Sequence, residues 1–210
     1  MAKKITDYKQ EIMNSNPNQQ VIEVSLHPNN WERFFSSYPV LQEVFNELAQ
    51  QRGRYLITRN DVRISTGQHR IIKAMLWAFA NKPKVQNLEK VLAHLNDIVN
   101  LMEQHQNDDM EEASFKHLYK ELCNIPGVGA TTASILFFFY NVKCNGCSPV
   151  AITGHITDEF DKFDELREYA SKPYYEQVYR FNEVANSMGV TAEQVEYFLY
   201  HVSNGEITIN

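Results

Sequence analysis

The segment Ile125-Pro126-Gly127-Val128-Gly129 sets two glycines around one apolar residue, between a helical pattern ending near Cys123 and another starting near Ala130. Glycine permits positive φ and close approach of another backbone, and the first turn of the following helix exposes N–H groups that lack an acceptor within the helix. Such a place suits an anion, and a phosphate fits it. Val128 is expected to tuck between the two helices and hold the turn closed, while Thr131 and Thr132 bring hydroxyls within reach of a phosphate oxygen. Contacts of this kind are indifferent to base sequence. Pro126, Gly127, Val128, Gly129, Thr131 and Thr132 form the first set of candidate binding residues.

Charge supplies a second set. Between residues 52 and 73 the chain carries Arg52, Arg54, Arg59, Arg63, Arg70 and Lys73 against Asp61 alone, so this stretch is +5; the whole chain is −6, which leaves −11 elsewhere. Segregation this strong predicts either a solvated basic face or a second contact to phosphates. Trp77 and Tyr55, beside that stretch, could stack on an extruded base, although side chains of this kind mostly pack internally.

Three further groupings carry less chemistry. Asp158, Glu159, Asp161, Asp164 and Glu165 lack the glycine and ligand spacing of a calcium loop and read as a solvated helix face. Cys144-Asn145-Gly146-Cys147 has the spacing of half a zinc site or of a redox pair, but no second pair follows, so neither a metal nor another cofactor is expected. Phe137-Phe138-Phe139-Tyr140 covers most of a helix circumference, which predicts a buried helix rather than a platform for bases.

Apolar periodicity gives the scaffold. Val40, Leu41, Val44, Phe45 and Leu48, then Ile71 to Phe79, then Leu88, Val91, Leu92, Leu95, Ile98 and Leu101 recur at helical spacing. Further helices are predicted over Glu112–Cys123, Ala130–Tyr140, Thr157–Ala170, Tyr174–Ser187 and Thr191–Val202, so the fold class is all-α. Val21–Leu26 is read as extended chain without a sheet, and the Asn/Gln-rich segment Asn14–Gln20 as part of a mobile lead-in over 1–20. Residues 21–210 then form one unit, with an N-terminal lobe over about 21–105, a polar connection over Gln104–Met110 and a second lobe over about 110–210. Hydrophobic residues at 43% and charged residues at 22% describe a chain able to bury a core. No run of about twenty apolar residues occurs and Met1–Asp7 lacks a secretory apolar stretch, which predicts no membrane partner and a cytoplasmic location. Three cysteines fit a reducing compartment.

The segment Leu122-Cys123-Asn124-Ile125-Pro126-Gly127-Val128-Gly129-Ala130-Thr131-Thr132-Ala133 resembles the hairpin of the helix-hairpin-helix DNA glycosylase superfamily. The likeness continues through Ser134–Tyr140 to Pro149-Val150-Ala151-Ile152-Thr153-Gly154-His155-Ile156, and the final helix from Val190 is superfamily-like. The resemblance implies a glycosylase-like helical fold, duplex DNA as partner, and base excision repair as the setting. It places the superfamily's catalytic aspartate on Ile152 or Thr153 and the lysine of its bifunctional members on Thr131, so a Schiff-base lyase is not expected. Four cysteines would be needed for the cluster some members hold, and no iron–sulfur cluster is expected here. A monofunctional enzyme of this type needs one carboxylate near the flipped nucleotide; Asp158, with His155 one turn before it, is the nearest candidate, against the simpler reading that Thr157, Asp158 and Glu159 cap and charge a helix. The functional expectation is a DNA-binding, divergent glycosylase-like enzyme acting on a damaged or modified base. Its rivals are a non-catalytic hairpin module and a helical protein-interaction scaffold.

Overall fold

The computed structural model describes residues 3–27, 29–80 and 85–209. Its first half contains α1 (Lys9–Asn14), β1 (Val21–Val24), α2 (Pro39–Glu47), β2 (Ala49–Gln51), β3 (Arg54–Thr58), α3 (Arg59–Arg63), α4 (Gly67–Phe79), α5 (Val85–Ala93) and α6 (Leu95–Glu103). The second half contains β4 (Asp109–Met110), α7 (Glu112–Asn124), α8 (Ala130–Tyr140), β5 (Lys143–Cys144), α9 (Gly154–Glu159), α10 (Tyr174–Met188) and α11 (Ala192–Ser203). Helices dominate and carry the core, as the periodicity predicts.

The central element is α8. Every residue from Thr132 to Tyr140 is buried, which is why the helix shows no polar stripe. Phe137 meets Phe115 edge to face at 4.9 Å and Phe139 meets Trp77 at 5.2 Å, so α7 and α4 pack on different faces of α8. Asn141, in the left-handed region at φ +53°, ends the helix. Capping boxes at Thr58/Asp61 and Thr191/Gln194 start α3 and α11.

Four local expectations are corrected. Val21–Val24 does join a sheet: β1 pairs antiparallel with β3, Val21 opposite Thr58 and Val24 opposite Tyr55, and β2 flanks β3 on the other side. Arg52 (φ +51°) and Gly53 (φ +76°) form the two-residue turn that joins β2 to β3, a left-handed pair whose twist matches hairpin strands. The apolar series from Leu88 to Leu101 breaks at His94 into α5 and α6. Gln104–Met110 is not only a polar connection, since Asp109–Met110 runs parallel to Lys143–Cys144.

The fourth correction concerns Thr157–Ala170. The α-helix stops at Glu159 and gives way to short 3-10 turns, with Phe163 extended at φ −122°, ψ 127°. Lys3 explains the break: its N–H donates to the Lys162 carbonyl at 2.9 Å and its carbonyl accepts from the Asp164 N–H at 2.8 Å. The Glu165 carboxylate then accepts from the Ile5 N–H at 3.0 Å. Within the segment 1–20, Ile5, Ile12 and Pro17 are buried.

Candidate nucleic-acid interface

The connection between α7 and α8 closes on itself before it meets anything else. The Ile125 N–H donates to the Leu122 carbonyl at 3.1 Å, the Val128 N–H donates to the Ile125 carbonyl at 3.0 Å, and Val128 is buried between the helices. Burial keeps the Tyr119 phenol protonated far above its ordinary range, and its O–H donates to the Ala130 carbonyl at 3.1 Å, tying α7 to the first turn of α8.

The two glycines do different work. Gly127 sits at φ +89°, and a Cβ there would come within 2.7 Å of the Asn87 carbonyl oxygen, 2.7 Å of Lys90 Cβ and 2.8 Å of the Val91 nitrogen. Its lack of a side chain lets the turn lie directly on α5, so this glycine serves close packing. Gly129 has an ordinary φ of −102°, and a Cβ there would meet no atom within 4 Å. It is exposed and caps α8 without a side-chain acceptor. The first intrahelical bond runs from the Ala133 N–H to the Gly129 carbonyl, so the amides of Gly129, Ala130, Thr131 and Thr132 precede the helix's own hydrogen-bond ladder.

Two cavities flank this first turn. One, of about 260 Å³, has apolar walls from Trp31, Met75 and Phe79 and is completed by Asn87, Gly129, Thr131 and Thr132. The Trp31 indole N–H is fixed to the Ala80 carbonyl at 2.6 Å. The other, of about 350 Å³, is lined by Tyr119, Thr131, Ser134, Ile152, Gly154, Thr157, Lys172 and Gln177. Thr131 borders both, whereas Thr132 is nearly all buried.

The basic stretch is not brought to this place. Met75 and Phe79 line the cavity at the start of α8, while the Arg70 guanidinium lies 4.8 Å from the Tyr140 ring at its end, so α4 and α8 are antiparallel. Arg70, with Lys73 one turn beyond, therefore stands at the opposite end of α8 from the glycines.

Nor is the stretch a basic face. Arg59 is fully buried and hydrogen-bonds Gln20 (2.8 Å), Glu193 (3.0 Å) and Glu196 (2.6 Å). Arg70 donates to the Ser65 carbonyl at 2.6 Å and Lys73 to Ser65 Oγ at 2.9 Å and Glu47 at 2.7 Å, both beneath the surface. Those three cations present nothing to a phosphate backbone. Arg54 pairs with Glu23 and Arg63 with Glu193, which leaves Arg52, exposed in the β2–β3 turn, as the least engaged of the six. Trp77 and Tyr55 pack internally, on Phe138 and Phe139 and on Phe45.

Cations near the glycines come from elsewhere. Lys90 lies on the α5 segment against which Gly127 packs, Lys120 on the last turns of α7, and Lys172 at the second cavity. All three are exposed, and the lysine ion pairs among the described residues involve Lys73, Lys116 and Lys162 instead. Scattered over 82 positions, 172 minus 90, they leave no local signal in sequence.

Asp158 and His155 are exposed on α9 and line neither cavity. The buried carboxylate of that helix is Glu159, which pairs with Lys162. Of Ile152 and Thr153, the two residues on which the resemblance places the superfamily's aspartate, Ile152 donates its N–H to Ser134 Oγ at 3.1 Å and accepts from the same hydroxyl at its carbonyl at 3.1 Å. A serine thus fixes this loop to α8. Among the described residues no group of three or more His, Cys, Asp or Glu is placed to hold a metal ion, and no helix is long and apolar enough to cross a membrane.

The family model described as "Putative 8-oxoguanine DNA glycosylase OGG-like protein" matches residues 16–200. No curated protein and no solved structure matches the chain. The matched span runs from the turn before β1 into the last turns of α11 and includes both cavities and the glycine connection between α7 and α8; the chain belongs to this OGG-like, DNA glycosylase-like family.

Proposed function

We propose that the chain binds duplex DNA through the α7–α8 hairpin and hydrolyses the bond between a damaged or modified base and its sugar. The observation that carries this reading is the division of labour between the glycines: Gly127 locks the turn onto α5, and Gly129 caps α8 without a side chain, so that the amides of the exposed Gly129 and Ala130 and the half-buried Thr131 stand ahead of the helix's hydrogen-bond ladder, beside the cavities. A phosphate accepts from those amides. Pro126, Val128, Thr131 and Thr132 shape or flank the contact, Lys90, Lys120 and Lys172 add cationic side chains around it, and Arg52 is a more distant addition.

The cavity walled by Trp31, Met75 and Phe79 gives an extruded base apolar surfaces, with Asn87 and Thr131 as its polar partners. The family description makes oxidised guanine the first base to test. With threonine at position 131, the reaction assigned is direct hydrolysis: water adds at the sugar carbon and the base leaves with the bonding electrons and a proton. Neither cavity has a carboxylate in its lining, so water activation is assigned to Asp158, exposed on α9 outside both with His155 one turn before it, on its nearness in sequence to the Ile152–Thr153 loop.

The experiment is a salt series of binding to a labelled duplex containing oxidised guanine, with base release followed on the same duplex. Wild type is expected to weaken linearly in logarithmic coordinates, by a slope of about −0.9 for each phosphate contact. Gly129→Ala keeps its amide but sets a methyl group in the open space through which a phosphate must approach, and is expected to bind about tenfold less, roughly the worth of one charge-assisted hydrogen bond. Asp158→Asn should bind as wild type and release less base. Binding that ignores salt, or that is untouched by Gly129→Ala, overturns the hairpin assignment.

A further inference from the structure

The pair Cys144 and Cys147 lies outside the DNA-facing region and carries chemistry of its own. The two residues exchange both main-chain hydrogen bonds, from the Cys147 N–H to the Cys144 carbonyl at 2.9 Å and from the Cys144 N–H to the Cys147 carbonyl at 3.1 Å, so they stand directly opposite across a two-residue turn. Asn145 (φ +48°) and Gly146 (φ +77°) supply the left-handed conformations of that turn. Residues paired in this way have Cα atoms about 5.5 Å apart and side chains on the same face of the ribbon. That spacing lies within the range of roughly 4.4–6.8 Å that a disulfide spans.

The turn is also held on both flanks. The Gly146 N–H donates to Asp109 Oδ1 at 2.8 Å and the Asn145 N–H to the Met110 carbonyl at 2.9 Å. From α10, Tyr179 meets Cys144 Sγ at 3.2 Å and accepts from the Asn145 side-chain amide at 2.7 Å, while Asn182 brackets Ser148 at 3.0 and 2.8 Å. Directly opposed Cβ atoms lie about 4.5–5.5 Å apart, and a relaxed disulfide needs roughly 3.5–4.5 Å, so closure pulls against those anchors. A strained bond of this kind is readily reduced again.

We propose that Cys144 and Cys147 form a reversible dithiol–disulfide site that exchanges with low-molecular-weight disulfides of the glutathione type. Cys147 is the half-buried partner and Cys144 the buried one. The Cys147 thiolate attacks one sulfur of the small disulfide, and the first small thiolate leaves. The Cys144 thiolate then attacks Cys147 Sγ and expels the second. The protein dithiol is oxidised, the small disulfide is reduced to two thiols, and the two protons released by the cysteines end on those thiols. Closure removes the Cys144 contact to Tyr179. Burial pushes both cysteine thiols up, so exchange accelerates as pH rises towards the thiol range.

The test incubates the whole protein in buffers of graded oxidised-to-reduced glutathione ratio, quenches with acid, and maps disulfide-linked peptides by mass. The expected result is a Cys144–Cys147 link that appears and disappears reversibly with the ratio and forms faster at higher pH. Cys144→Ser is expected to accumulate a glutathione adduct on Cys147, because the resolving thiol is gone, and Cys123→Ser to behave as wild type. Both thiols staying reduced in fully oxidised glutathione at alkaline pH, or wild type stopping at mixed disulfides, overturns the proposal. The site lies beyond the C-terminus of α8, whose 11 residues span about 16 Å. Duplex binding is therefore expected to be equal in both redox states, and failure here is separable from failure of the DNA assignment.

Discussion

At the scale of single residues, two glycines that look equivalent in sequence separate cleanly. Gly127→Ala adds a methyl group where Asn87 and Val91 backbone atoms already stand at 2.7–2.8 Å, at a φ of +89° that L residues avoid. The conformational cost of about 1–2 kcal/mol and an overpacking cost of about 1–3 kcal/mol add to roughly 3 kcal/mol. Its thermal midpoint is expected to fall sharply, and its loss of DNA binding would follow from instability. Gly129→Ala meets open space at an ordinary φ, so the midpoint is expected to stay put while binding falls. A calorimetric scan of both variants decides the point, and equal midpoints would refute the packing role of Gly127. Lysines follow the same logic. Lys172→Ala is expected to weaken binding uniformly across duplex sequences and to reduce the salt slope by about one unit, since a phosphate contact carries no sequence information. An unchanged slope would remove Lys172 from the interface.

At the scale of elements, what could be read in the sequence depended on how local the cause was. The boundaries of α8 are predicted as Ala130–Tyr140 and found there, because the glycine turn before it and the apolar run within it act over a few residues. The sheet was hidden by its composition. Arg54-Tyr55-Leu56-Ile57-Thr58 reads as part of a basic stretch, and β1 shows little alternation with Val21 exposed and Val24 buried, although the Arg52-Gly53 turn beside a Tyr-Leu-Ile-Thr run was the available signal. The end of α9 could not be read locally. Phe160, Phe163 and Leu166 keep helical spacing and are all buried, but Lys3 takes the main-chain groups of Lys162 and Asp164 from about 160 residues away in sequence. This gives a further expectation: deleting residues 1–8 should free those groups and let helix extend past Glu159. Loss of 3-10 content with gain of α-helix in amide exchange or NMR shifts would show it, and an unchanged pattern over 160–166 would mean that the turns are set by their own sequence.

At the scale of the whole molecule, the basic stretch turns out to hold the chain together. Arg59 joins Gln20, Glu193 and Glu196, and its guanidinium lies 4.9 Å from the Trp77 ring, 5.2 Å from Phe138 and 5.5 Å from Tyr197. One side chain thereby links the segment before β1 to α3, α4, α8 and α11. Charge counting along the sequence sees a cation at position 59 but not the carboxylates 134 and 137 residues later that neutralise it. The pairing has a pH signature. Burial raises the Glu196 carboxyl above its ordinary value of 4.5, with the charge and hydrogen bond of Arg59 pulling it back down. A carboxyl raised in the folded state contributes stability that is complete below 4.5 and is lost as pH climbs through the folded value. Arg59→Met removes the opposing pull, so the Glu196 carboxyl rises further and its ionisation costs more. At neutral pH the variant is expected to be less stable by about 3–5 kcal/mol, the cost of a buried charge without its partner. The gap in thermal midpoint between wild type and Arg59→Met should therefore widen as pH rises from the ordinary carboxyl value of 4.5 towards neutral, and adding Glu196→Gln to the variant should remove most of that pH dependence. A gap that stays constant across that range would mean that Arg59 stabilises through its aromatic stack rather than through Glu196.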